Sequence, residues 1–226
     1  MVTTTAIAPS IETASPPRIP MSYDEYLAWY DGDAGRRGEW VDGEVIPFVT
    51  TSSRHQQLTT FLIAVLANYL DLRPVGRLFS QTFELRSREG AAREPDILVL
   101  LNEHLGRLER VRLRGAADLV VEIVSPDSVT RDGHDKRDEY AAAGVPEYWL
   151  IDPREGKERL EVLILGQNGS YDRSIADGEG KLRSTVLPGV WVEPGWLLLD
   201  ELPSVVRLGT AMAAGATEDP QRGGIS

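Results

Sequence analysis

Leu119-Val-Val-Glu-Ile-Val124 decides the fold of this chain, because it sets a carboxylate inside a nearly continuous apolar run. Such a run, closed by Ser125-Pro126, predicts a strand buried on both faces of a sheet. A charge in that position costs several kcal/mol of solvation unless something compensates it. Glu122 therefore requires a cation, a hydrogen-bonded partner or a chemical role. The plain structural reading is a salt bridge to an arginine such as Arg93 or Arg114.

A second run, Arg93-Glu-Pro-Asp-Ile-Leu-Val-Leu100, has the same buried character and opens with an acid. Pro95 fixes its own φ and biases Glu94 toward an extended conformation, which holds Asp96 at a strand start. Pro-Asp is also ordinary turn chemistry, so the pair of runs says more than either one. Two neighbouring central strands would each bring one carboxylate to the same region, and two such groups ionise together cheaply only around a cation. Oxygen donors without Cys or His favour Mg²⁺, or Mn²⁺, over zinc. Such an ion polarises a phosphoryl oxygen and lowers the pKa of a bound water. A basic side chain beside the phosphate would complete the chemistry. In a Glu-x-Lys arrangement it stands two residues after the glutamate, on the same strand face. Val124 occupies that position here. Lys136, early in the next helix, is the nearest replacement, and its alternative is a solvated lysine in the charged run Arg131-Asp-Gly-His-Asp-Lys-Arg-Asp-Glu139.

Outward from these runs the pattern is regular. Ser22 and Glu25 have capping-box spacing ahead of a short helix. Asp42-Gly43, between apolar segments, predicts a hairpin. Leu58, Phe61, Leu62, Val65, Leu66, Tyr69 and Leu70 mark one face of a helix over 53–72. Leu78–Leu85, Tyr148–Ile151, Leu160–Leu165, Tyr171–Ile175 and Lys181–Val186 read as strands, the last three as parts of a meander. Residues 103–113 suit a short helix or turn, and 134–143 a crossover helix ended by Gly144. The prediction is an α/β (α+β) domain over 20–208: a mixed sheet flanked by helices, with a strand-rich C-terminal half. Residues 1–19 and 209–226 lack periodicity and read as disordered tails.

The 226 residues suit one domain, with 42% hydrophobic and 26% charged side chains. Absence of cysteine excludes disulfides and cysteine-based zinc sites. No apolar run approaches a membrane span, and the N-terminus does not read as a secretory signal, so a cytoplasmic location is expected. The formal net charge of −11 argues against loose, non-specific nucleic-acid binding, though not against a nuclease with a local basic surface. His55, His104 and His134 lack zinc spacing. Val-Ser-Pro around Ser125 is no serine-hydrolase elbow, Gly178-Glu-Gly-Lys181 is no phosphate loop, and Asp127–Asp138 does not match a calcium loop. Trp149, Trp191 and Trp196 read as core or interface aromatics.

These residues resemble the Uma-type family, a restriction-endonuclease-like branch of the PD-(D/E)XK nuclease superfamily. The likeness runs through Met21-Ser-Tyr-Asp-Glu-Tyr-Leu27, Glu39-Trp-Val-Asp-Gly-Glu44 and Ser53-Arg-His55. It continues at Pro95-Asp96, Val121-Glu-Ile-Val-Ser-Pro126, Asp135-Lys136 with Tyr140, and Gly144-Val-Pro-Glu-Tyr-Trp-Leu-Ile-Asp-Pro153. The resemblance implies Asp96 and Glu122 as metal ligands, and the site lysine moved from strand to helix as Lys136. Glu39 and His55 match positions kept near the family's active-site edge, Glu39 as a further carboxylate and His55 as a supporting or substrate-positioning group. Tyr140, one turn beyond Lys136, is placed to orient it or to fill the core. The expected activity is Mg²⁺-dependent hydrolysis of DNA. The rival expectations are a module of the same fold that binds protein or nucleic acid without catalysis, and a self-associating protein, a homodimer, that pairs through Val190–Leu199.

Overall fold

The computed structural model describes residues 17–31, 37–48, 51–81, 83–125 and 134–215. β1 (Ile19–Pro20) leads into α1 (Tyr23–Asp31), whose start is a reciprocal cap. Ser22 N donates to Glu25 Oε2 at 2.7 Å and Glu25 N to Ser22 Oγ at 3.3 Å. The predicted hairpin follows as β2 (Gly38–Val41) and β3 (Glu44–Pro47). Asp42 and Gly43 both take positive φ, 49° and 87°, which a tight two-residue turn between twisted strands requires. α2 (Ser53–Leu72) matches its predicted span, with Ser52 Oγ accepting from His55 N at 3.1 Å.

The stretch Leu78–Leu85, expected as one strand, is two strands in two sheets. β4 (Gly76–Ser80) ends before Gln81, and β5 (Glu84–Arg88) begins a second layer with β6 (Ala91–Arg93). Alternation of apolar and polar residues runs through both pieces, so periodicity alone could not reveal the break. β7 (Ile97–Leu101) is followed by a 3₁₀ turn over Asn102–Arg107, then β8 (Arg112–Arg114) and β9 (Leu119–Ile123). α3 (Lys136–Ala143) ends at Gly144, whose φ of 81° suits a left-handed cap. β10 (Glu147–Asp152), β11 (Arg159–Leu165) and β12 (Tyr171–Arg173) form the meander. Lys181–Val186, expected as the third strand of the meander, is not in it: β13 (Leu182–Arg183) pairs instead with β14 (Trp191–Val192) as a separate ribbon.

The fold is mixed α+β, with two six-stranded sheets in place of a single one. The central sheet has the order β12-β11-β10-β9-β7-β4 and the second β1-β3-β2-β6-β5-β8. Within the central sheet β9 and β10 are parallel, joined through α3, and β7 is antiparallel to β9. Alternate residues of the buried strands face opposite sides. Ile97, Val99, Val121, Ile123 and Trp149 pack with α2. Leu98, Leu100, Val120 and Leu150 pack with Tyr140 of α3 and with Leu85 and Leu113 of the second sheet. α1 covers part of that second sheet through Tyr26, against Trp40, Val45 and Ala92. Among the described residues, no helix is long and apolar enough to cross a membrane.

Residues 209–215, expected in a tail, are the end of α4 (Val205–Gly215), which lies against α2. Small residues make that contact. A Cβ on Gly209 would meet Asn68 Cβ at 2.6 Å, and Met212 is fully buried. At the other terminus, Ile19 pairs with Val45, while residues 1–16 and 216–226 lie outside the described residues. In the segment Val190–Leu199, Val190, Val192, Trp196 and Leu197 are core, leaving Leu198 and Leu199 as its exposed large apolar side chains.

Candidate active site

Strand register sets the two informative carboxylates at facing backbone positions. β4 pairs Ser80 with Ile97, and β7 pairs Ile97 with Val121. Continued by one residue, the same register sets Gln81, Asp96 and Glu122 in a row across three strands, and pleating turns such a row to one face. β10 extends it, with Leu150 beside Glu122.

Asp96 stands between Gln81 and Glu122 in this row, its side chain 13% exposed. Oδ2 accepts from Ile123 N at 2.8 Å and lies 3.4 Å from His55 Nε2. Oδ1 accepts from Gln81 Nε2 at 3.3 Å. His55, in the first turn of α2, is buried, with Thr59 Oγ1 3.4 Å from its Nδ1. The other histidines lie elsewhere: His104 Nδ1 is 2.7 Å from Asp118 Oδ1, and His134 is exposed.

Glu122 is buried, while Arg93 binds Glu39 and Glu139 and Arg114 binds Glu109 at the surface. Its Oε1 accepts from Lys136 Nζ at 2.8 Å and from Tyr140 OH at 2.8 Å. Lys136 is therefore no solvated lysine. Its ammonium lies 2.9 Å from Glu39 Oε1, between carboxylates of both sheets. Lys136, Glu139 and Tyr140 are spaced to share one face of α3, and all three are buried. Tyr140 orients Glu122 rather than the lysine. Burial holds the Tyr140 hydroxyl well above the usual tyrosine range, with Glu122 and Glu39 adding to the effect, so it stays a donor.

Beyond Glu39 the charges continue. Arg93 Nη1 donates to Glu39 Oε2 at 3.1 Å, and Arg93 Nη2 to Glu139 Oε2 at 2.8 Å. Glu139 Oε1 also accepts from Ser87 Oγ at 2.8 Å. Burial alone would lower the Arg93 pKa, but Glu39 and Glu139 outweigh it and keep the guanidinium charged. The result is one buried array, Glu122–Lys136–Glu39–Arg93–Glu139, in which acids and bases alternate. Its outer end reaches a cavity of about 330 Å³ lined by Arg18, Asp42, Arg88 and Asp135.

All six sequence candidates (Asp96, Glu122, Lys136, Glu39, His55 and Tyr140) fall in this region. Gln81, Arg93 as a partner of Glu39, and Glu139 were missed. Helical spacing of Glu139 from Lys136 was the available signal. Gln81 had none, because its place depends on the break after β4. Oxygen atoms of Asp96 and Glu122 suit a hard divalent ion, since Mg²⁺ is commonly held by one or two carboxylates and keeps several waters.

A family profile described as "Uma2: Putative restriction endonuclease" matches residues 23–199. A crystal structure of a "putative nuclease belonging to DUF820" from Anabaena variabilis superposes with a TM-score of 0.56 at 19% identity, covering 85% of this chain and 99% of that one. At that identity the likeness is one of fold. No curated protein matches the chain.

Proposed function

Because the chain belongs to the Uma2 family of restriction-endonuclease-like proteins, we propose that it is a divalent-metal-dependent endonuclease acting on phosphodiester bonds in DNA. The observation that carries this reading is the charge row: Asp96 opposite Glu122 on adjoining strands, with the Lys136 ammonium 2.8 Å from Glu122. Asp96 and Glu122 would hold Mg²⁺ or Mn²⁺. Bound there, the ion supplies positive charge against the phosphoryl oxygens and acidifies a water.

The remaining work belongs to the chain. Ile123 N and His55 fix one oxygen of Asp96, so its other oxygen keeps a defined direction. Tyr140 fixes Glu122. Lys136 offers a full positive charge where negative charge develops on the phosphate, and that charge is pre-oriented by Glu39 and Glu122. Glu39 is in turn oriented by Arg93, so a carboxylate of the second sheet holds the lysine of the crossover helix.

The test is nicking of supercoiled plasmid with Mg²⁺ or Mn²⁺, with chelator as the blank. Asp96→Asn, Glu122→Gln and Lys136→Met should each lower the rate about a hundredfold or more, with circular dichroism unchanged in the first two. Full activity in purified Asp96→Asn or Glu122→Gln protein would refute the assignment. A second reading, a module of the same fold that binds without cutting, is favoured by the net charge of −11. It predicts no metal-dependent cleavage by the wild type on any DNA, with retention of DNA or protein on a column.

A further inference from the structure

We infer that Gln81 is a third oxygen ligand for the divalent cation at Asp96 and Glu122, an inference that rests on the metal-site reading above. Gln81 stands in the same cross-strand row, one position past the last residue of β4. It is exposed, at the point where the chain leaves the central sheet for the second one. Two backbone constraints hold it there, the Ser80–Ile97 pairing and a weak 3.4 Å bond from Gln81 N to Asp96 O.

Asp96 is held unequally. Oδ2 has a 2.8 Å bond from a main-chain N–H and a buried imidazole 3.4 Å away. The only side-chain donor to Oδ1 among the described residues is Gln81, at 3.3 Å and at the surface. A cation approaching Asp96 takes the oxygen that is easier to release, which is Oδ1, and so arrives beside the Gln81 amide.

A bare carboxylate draws the N–H end of an amide. A cation repels that end and attracts its oxygen, and half a turn about the last side-chain bond exchanges the two. Neutral amide oxygens are hard donors of the kind that divalent magnesium and calcium accept. Acidic and histidine side chains by themselves form no group of three able to hold a metal among the described residues. The Gln81 amide would add a third donor to the two carboxylates.

The experiment is titration with Mn²⁺ alone, followed by electron paramagnetic resonance of the free ion and by calorimetry, with no nucleic acid present. Wild type, Asp96→Asn, Gln81→Ala and Gln81→Glu are compared. Gln81→Ala should weaken binding about tenfold and Gln81→Glu should tighten it by a similar factor, because a carboxylate replaces a neutral donor. Since Gln81 is exposed, all Gln81 variants should melt as the wild type does. If Asp96→Asn abolishes binding while Gln81→Ala leaves it unchanged or tightens it, Gln81 merely competes for Asp96; this inference then fails and the metal site stands. If the wild type shows no Mn²⁺ binding sensitive to Asp96→Asn, the metal site itself is wrong and Gln81 falls with it.

Discussion

Arg93 is the residue on which the buried array turns. It carries a positive charge between two acids from different elements, Glu39 of β2 and Glu139 of α3, at 3% exposure. Replacing an entire buried ion pair with apolar groups can be neutral, whereas removing one partner strands the other in a poor solvent. Arg93→Ala should therefore cost about 3–5 kcal/mol in urea unfolding. Arg93→Lys should recover only part of it, since an ammonium cannot make the forked contact that the guanidinium makes with Glu139. A loss below about 1 kcal/mol for Arg93→Ala would mean that the array contributes little to folding. At this scale the sequence was partly legible. Glu122 announced a partner because no carboxylate sits unaccompanied in a strand such as Leu119–Ile123. Lys136 was read as the basic group of the site but not as the partner of Glu122, because it is fourteen residues away and arrives only through the geometry of a crossover.

Elements with strong local signals were legible in detail. α2 was predicted from its apolar face, and the Asp42-Gly43 turn from its dipeptide; both stand as expected. Elements whose identity depends on packing were not. The Ala- and Gly-rich residues after 208 carry little local information, yet they continue α4 because their smallness fits a groove on α2. Gly209 provides a test with an unambiguous sign. In an exposed helix, glycine to alanine stabilises by about 1 kcal/mol. Here the new methyl would meet Asn68 Cβ at 2.6 Å and main-chain atoms of Val65 and Tyr69 at 3.2 Å. Gly209→Ala should instead destabilise by about 1–3 kcal/mol, measured by thermal melting. A raised melting temperature would show that α4 is not docked this closely. The split between β4 and β5 belongs to the same class: two strands with a shared alternation diverge because of where each finds a partner.

Across the whole molecule, burial governs the tyrosines. Tyr26, Tyr140 and Tyr171 are displaced upward by burial first, and Tyr23, Tyr30 and Tyr69 in the same direction. A folded-state value raised above the unfolded one means that stability is full below the unfolded value, near pH 10, and is lost as pH rises beyond it. Ultraviolet titration should show phenolate appearing together with loss of the far-ultraviolet circular dichroism signal. Smooth ionisation of most tyrosines near pH 10 in a still-folded protein would contradict this burial. Charge tells a similar story at this scale. A net −11 was legible from composition, but not that acids and bases would be interleaved along a line joining two sheets.

On the proposed reading, Lys136 has two duties that draw on one charge. Its ammonium is the stitch between a carboxylate of each layer, and it is also the group that would greet a phosphate. A ligand that pulls it outward leaves Glu39 and Glu122 confronting each other, so grip on a substrate and cohesion between the layers trade against one another. A descendant of this chain that lost its chemistry would still be pressed to keep the lysine, and its survival alone is no proof of catalysis.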